Sequence, residues 1–260
     1  EPGEEWKETL ETGVRAAKAG GFTHLVTSPA TKQPIDSANR VLYVLNKSCN
    51  LPITISPLGT LSDEHKGEEL SEMYEMSQAG AIAFTDDKQA VNTGLMSKGL
   101  LYAKNLNKLI ISFANDNTLS NNGQVHEGAI STKTGMKGIP SLSEEMIVSR
   151  DLALAEYHDC PIHFTCISSA KSVQLIREAK QKGTKVTCDI AAHQLYFSDK
   201  SIEDFDANYK VFPPFREQAD IDSLIDGLKD GTIDAICTDH SPHDIESKKL
   251  EFNLADFGIL

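Results

Sequence analysis

A chain of 260 residues with 38 acidic and 25 basic side chains carries a formal charge of −13, which opposes attraction to phosphate backbones or anionic lipid and argues against nucleic acid or membrane surfaces as partners. The length suits one α/β barrel or two small domains, no stretch reaches the roughly 18 apolar residues of a spanning helix, and the opening EPGEEWKE has no basic-then-apolar leader. Five cysteines, odd in number and without CxxC spacing, suggest neither a disulfide framework nor a zinc knuckle, and a soluble protein of the reducing cytoplasm is expected.

The chain opens on a segment of helical period, EEWKETLETGVRAAKAGG, in which Trp6, Leu10, Val14 and Ala17 share a stripe and Gly20 and Gly21 close the helix. Its acidic start and basic end suit the helix dipole. A β-branched run, THLVTSPA from 23, comes next, then a helix near 36 to 48 and the run ITISPLGTL from 53. A helix near 67 to 78 leads to GAIAFTDD from 80, and one near 90 to 106 to KLIISFAND from 108. The segment 118 to 145 is rich in Gly, Ser, Thr and Asn and reads as an excursion over strand ends rather than a linker. Helices near 143 to 158, 170 to 182 and 217 to 230 precede the runs PIHFTCIS from 161, KVTCDIAAH from 185 and DAICTDHSPH from 234.

Seven strands alternating with helices indicate parallel α/β architecture. The expectation is a single-domain (β/α)8 barrel over 1 to 260, with its first strand, its C-terminal part and any flanking β-domain outside this range. Chemistry in such a barrel sits at the carboxyl ends of the strands. That rule selects Ala30 and Thr31, Asp86 and Asp87, Asn115 and Asp116, Cys166 and Ser168, His193, and Asp239 to His243.

Six collinear stretches, EPGEEWKETLETGVRAAKAGGFTHL, GAIAFTDD, DNTLSNNGQVHEG, KGIPSLSEE, VFPPFR and DGTIDAICTDHSPH, resemble the dihydroorotases of the amidohydrolase superfamily over nearly the whole chain. The resemblance implies a metal-dependent TIM-type barrel, a homo-oligomer, and the reversible closure of N-carbamoyl-aspartate to dihydroorotate in pyrimidine biosynthesis on one or two zinc ions. Such chemistry needs metal because water must attack an unreactive cyclic amide. Zinc lowers the water's pKa to about 7 and polarises the carbonyl. On the resemblance, Asp239 is the proton carrier and a metal ligand, His243 contacts the substrate, and Asp86 is a metal ligand.

Several positions depart from that pattern. The HxHxR segment, with two histidine ligands and an arginine, is expected immediately before Glu1 and outside this sequence. The histidine heading HCEDNSL falls on Phe113 in FANDNTL, and the ligand histidine of HVxHVS falls on Cys166 in HFTCIS. Phenylalanine cannot bind zinc, whereas cysteine can as thiolate. The asparagines of MPNT and NPPLR fall on Ala30 and Phe212. A one-residue slip brings Asn115 or His163 toward a vacant role, but a period of two puts His163 on the wrong face of its strand.

Weighed against plainer roles, Asp239, His243, Asp86 and Asp87 read as inherited site residues rather than loop caps or turn acids. Cys166 reads as a small buried filler rather than a ligand. His193 reads as a packed histidine and His126 as structural or exposed, and His24, His65 and His158 carry no constellation. The expectation is a dihydroorotase-like protein with impaired or lost catalysis. The alternatives are a non-catalytic homologue that partners aspartate carbamoyltransferase, and a cyclic amidohydrolase retuned by Ala30 and Phe212 to a less polar substrate.

Overall fold

The computed structural model describes residues 1–259. The chain forms two compact units, the first made of Glu1–Phe113 with Leu154–Ile162, the second of Ala114–Ala153 with the residues from His163 onward.

In chain order the first unit contains α1 (Leu10–Ala19), β1 (His24–Thr27), α2 (Ala38–Ser48), β2 (Thr54–Pro57), α3 (Met73–Ala79), β3 (Ala83–Phe84), α4 (Thr93–Asn105) and β4 (Leu109–Phe113). The pairings are parallel, with His24 of β1 opposite Thr54 of β2 and Ala83 of β3 opposite Leu109 of β4. Helix α1 begins later than its apolar stripe suggests. The Thr9 hydroxyl accepts from the Thr12 amide at 3.2 Å and the Thr12 hydroxyl accepts from the Thr9 amide at 2.9 Å, a reciprocal cap that fixes the helix start. Trp6 therefore lies outside the helix and is 60% exposed, and Val14 is the buried member of the stripe. Helix α3 closes at Gly80, whose φ of 116° is open to glycine, and an added Cβ there would come 2.8 Å from Leu45 Cδ1. Val41, Leu61, Met73, Met76, Phe84, Leu100 and Ile110 are fully buried, each stabilising the unit by about 1.5–3 kcal/mol relative to exposure.

The second unit contains α5 (Asn117–Ser120), β5 (Val125–His126), α6 (Ala129–Thr134), β6 (Gly138–Ile139), α7 (Leu142–His158), β7 (Ile162–Thr165), α8 (Ala170–Gln181), β8 (Val186–Ala191), α9 (Gln218–Lys229), β9 (Ala235–Cys237) and α10 (Ile245–Lys248), with α7 and β7 spanning the change of unit. Strands β7, β8 and β9 are neighbours in that order, and β8 pairs parallel with β9, Asp189 opposite Ala235 and Ala191 opposite Cys237. The glycine-rich excursion is built into the core. Its β5 and β6 pair parallel, and Val125 and Ile130 join Ile202, Val211, Phe215 and Phe252 in one apolar cluster. Among the described residues no helix is long and apolar enough to cross a membrane.

Candidate functional site

Asp189, on β8, is the hub of a polar cluster in the second unit. Strand alternation puts Thr187 and Asp189 on one face, and β7 presents His163 and Thr165 to that same face. His163 Nε2 lies 2.9 Å from Asp189 Oδ2, and its Nδ1 lies 2.7 Å from the Thr187 hydroxyl. A carboxylate only accepts, so Nε2 carries the hydrogen and Nδ1 accepts from Thr187. The Thr165 hydroxyl reaches both carboxylate oxygens, at 3.1 and 3.0 Å, and the Cys166 amide donates to Oδ1 at 2.8 Å.

Cys166 has φ +57°, a left-handed conformation that costs a non-glycine residue about 1–2 kcal/mol. This breaks the alternation at the end of β7, where positions three apart would otherwise face opposite ways. His163 and Cys166 both turn to Asp189. The Cys166 thiol is buried and lies 3.6 Å from Cys237 Sγ, at the end of β9. Cys166 Sγ, an Asp189 carboxylate oxygen and Cys237 Sγ all fall within 4.8 Å of one another. The hydrogen bond with Cys237, followed by burial and the charges of Cys237, Asp239 and Asp189, pushes the Cys166 thiol well above its ordinary range. For Asp189 burial opposes ionisation, but the His163 bond, the Cys166 amide, the His163 charge and the Cys237 thiol together outweigh it and hold the carboxyl below its ordinary value. Asp189 was not singled out by the sequence reading. Its signal was an acid set inside the apolar run KVTCDIAAH.

Asp239 follows β9 with φ +46° and is half-buried, and its charge acts on Cys166. His243 is held by the segment downstream: its Nε2 donates to the Phe257 carbonyl at 2.9 Å, and its Nδ1 lies 3.4 Å from Asp256 Oδ2. Lys210 fastens the same segment, donating to the Phe252 and Ala255 carbonyls at 2.8 and 2.6 Å.

Asp86 and Phe113 belong to the first unit. Asp86 is buried, and its Oδ1 accepts from the Leu61 and Ser62 amides at 2.8 and 2.9 Å while Oδ2 accepts from the Ser62 hydroxyl. Asp87 accepts from the Ser28 hydroxyl at 2.7 Å. The Phe113 ring is buried, with Lys88 Nζ 5.8 Å from its centroid.

A second buried polar group lies in the second unit. The Ser168 hydroxyl donates to Glu144 Oε2 and accepts from Arg216 Nε at 2.9 Å. Glu144 Oε1 accepts from the Ser169 amide at 3.0 Å, and Arg216 Nη1 donates to His126 Nδ1 at 3.1 Å. Burial, then the Arg216 charge, pushes the His126 pKa down to about 4, which keeps the ring neutral as an acceptor. His126 is thus a structural, buried histidine. His193 is packed, its ring edge-on to Phe215 at 5.7 Å.

The family profile described as Dihydro-orotase-like matches residues 1–172, two thirds of the chain. The chain belongs to the dihydroorotase-like family. The dihydroorotase of Pelotomaculum thermopropionicum is 44% identical over 263 residues, covering 100% of this chain and 61% of the relative. That of Acetivibrio thermocellus is 43% identical over 262 residues, covering 100% and 62%. This dihydroorotase-like chain therefore spans about three fifths of the length of those relatives. Among solved structures, the L-hydantoinase of Arthrobacter aurescens superposes with a TM-score of 0.84 at 21% identity over 96% of this chain and 58% of that one. The dihydroorotase of Saccharomyces cerevisiae in complex with 5-fluoroorotic acid gives 0.74 at 16% identity over 95% and 70%. These likenesses establish the fold, the α/β barrel expected from the alternation of strands and helices and of the type that the family resemblance implied.

Of the donor positions that the family resemblance implies, the one at 113 does not fit a zinc centre in this dihydroorotase-like chain. A phenyl ring at 113 has no lone pair to give, whereas the Asp86 carboxylate, held by the Leu61 and Ser62 amides and the Ser62 hydroxyl, keeps acceptor capacity.

Proposed function

We propose that this chain is a dihydroorotase-like protein of pyrimidine biosynthesis in which reversible ring closure of N-carbamoyl-aspartate is impaired or lost. The observation that carries the reading is Phe113, an apolar ring at a position where the family resemblance calls for a histidine ligand. Hydrolysis of a cyclic amide at neutral pH draws on a metal to acidify water and polarise the carbonyl, a contribution of several kcal/mol. Removing a ligand of that metal weakens the step even where the proton carrier and substrate contact, Asp239 and His243, are retained.

A second reading is favoured by the contrast between altered donor positions and an intact buried framework. Glu144, Ser168, Arg216 and Lys210 are fully engaged in holding the second unit. A barrel kept for its surface rather than its centre is what an assembly partner of aspartate carbamoyltransferase requires.

The test is an assay of the full-length protein, supplied with zinc, for dihydroorotate hydrolysis by loss of ultraviolet absorbance, beside a dihydroorotase run in parallel. Turnover at least about a thousandfold lower is expected, the equivalent of roughly 4 kcal/mol. Comparable turnover would sink the proposal. Co-elution with aspartate carbamoyltransferase in size-exclusion chromatography supports the second reading, and separate elution rejects it.

A further inference from the structure

Among the described residues, the side chains able to ligate a metal converge in one three-membered group, Cys166, Asp189 and Cys237. We propose that these three hold a single zinc-class divalent cation in a Cys2Asp site, formed from the ends of β7 and β9 and the middle of β8. The inference goes beyond the proposed function, because it concerns a donor set other than the one the family resemblance implies and holds whether or not ring closure survives.

Spacing is the first argument. Two thiolates bound to one tetrahedral zinc at about 2.3 Å each stand about 3.8 Å apart. Cys166 Sγ and Cys237 Sγ are 3.6 Å apart, so the pair is near that edge length without rearrangement of the strands. A disulfide needs about 2.05 Å.

The second argument is the support behind the carboxylate. A metal-binding carboxylate is held in orientation by hydrogen bonds from groups that do not touch the ion. Asp189 has that arrangement: His163, itself fixed by Thr187, donates to Oδ2, while the Cys166 amide donates to Oδ1. The sheet register between β8 and β9 holds Asp189 and Cys237 two rungs apart.

Charge is the third argument. With two thiols and one carboxylate the cluster carries −1. On binding, two S–H bonds break, both protons leave to water, and two S–metal bonds form with no change of oxidation state. Two thiolates, one carboxylate and one divalent cation again sum to −1, so occupancy adds no net charge to a mostly buried site. Thiolate donors select zinc-class cations over magnesium or calcium, and three protein donors leave a tetrahedral ion one position for water or a small anion.

The experiment uses the full-length protein, reduced and stripped of metal under anaerobic conditions, with cobalt(II) as probe. One equivalent is expected to produce a thiolate-to-cobalt charge-transfer band, to be displaced by zinc, and to protect Cys166 and Cys237 from alkylation as mapped by mass spectrometry. Cys237→Ser is expected to abolish the two-thiolate band, and His163→Ala, which alters only a positioning residue, to weaken cobalt binding by about 10–100-fold. Cys49→Ser, which changes an exposed cysteine, is expected to leave the band intact. If the wild-type protein gives no charge-transfer band, if cobalt leaves the alkylation rates of both cysteines unchanged, or if the pair is recovered as a disulfide that metal does not prevent, the site is refuted. The readout is optical and chemical rather than catalytic. Restored ring-closing activity would overturn the proposed function alone, and a missing band would overturn this site alone.

Discussion

One imidazole, that of His163, joins β7 to two positions of β8: Nε2 is 2.9 Å from Asp189 Oδ2 and Nδ1 is 2.7 Å from the Thr187 hydroxyl. The pairing sets a pH dependence. Asp189 is held below its ordinary value, so as pH falls the unfolded chain takes up this proton first. The stabilisation from Asp189 is complete above an ordinary aspartate pKa of about 3.9 and disappears as pH falls through the lower folded value. His163→Ala removes the strongest partner favouring the charged form. Urea denaturation between about pH 3 and pH 7 should therefore show lower stability at neutral pH and an acid transition moved to higher pH. An unmoved transition would mean that His163 does not set the Asp189 charge.

Arg216 and Glu144 are both almost fully buried and share the Ser168 hydroxyl. Arg216→Met leaves the Glu144 carboxylate buried without its cation, for an expected loss of about 3–5 kcal/mol. The double variant Arg216→Met with Glu144→Gln removes both charges and should lose clearly less than the sum of the single losses. Denaturant midpoints of the four proteins measure the difference, and strict additivity would show that the two charges do not act as a pair.

Most of the fold was legible because strands β1 to β4 and β7 to β9 lie in apolar, β-branched runs separated by helical periods, and each run contains an observed strand. The start of α1 was not, since the reciprocal Thr9 and Thr12 cap overrides the apolar stripe that includes Trp6. Strands β5 and β6 are two residues each and, unlike the equally short β3 in GAIAF, lie in a polar, glycine-rich segment with no apolar run around them to display a period. The Asp189 cluster was hidden for two reasons. Its partners His163 and Thr165 lie 26 and 24 residues earlier in the chain, and the left-handed turn at Cys166 redirects a thiol that strand alternation aims elsewhere. Cys166 was visible as a departure from the family pattern, yet the sequence did not announce that Cys237 stands beside it.

Asp86 supplies a test that separates a framework role from a ligand role. Its carboxylate accepts two backbone amides and one hydroxyl from Leu61 and Ser62. Asp86→Asn replaces one accepting oxygen by an NH2 group that faces those donors, with an expected loss of about 1–3 kcal/mol in metal-free protein. Thermal or urea unfolding in the presence of a chelator measures it. Unchanged stability of the metal-free variant would remove the framework role and leave ligation as the reason for the acid.

Lys210 is buried, and its ammonium donates to the carbonyls of Phe252 and Ala255 while lying 4.9 Å from the Phe257 ring centroid. Burial draws its pKa below the ordinary lysine value, and the charge of Asp256 opposes that pull. The same stretch of chain accepts the His243 Nε2 hydrogen at the Phe257 carbonyl, so Lys210 indirectly fixes the ring expected to contact substrate. Lys210→Met keeps the apolar stem but leaves two buried carbonyls without a donor, at a cost of about 1–3 kcal/mol each before relaxation. Hydrogen exchange should rise at residues 252 to 258 and remain unchanged in β1 to β4, because the lost bonds are all local to that stretch. Equal protection of 252 to 258 in the variant and the parent would show that the apolar cluster around Phe252, rather than the ammonium, holds this segment in place.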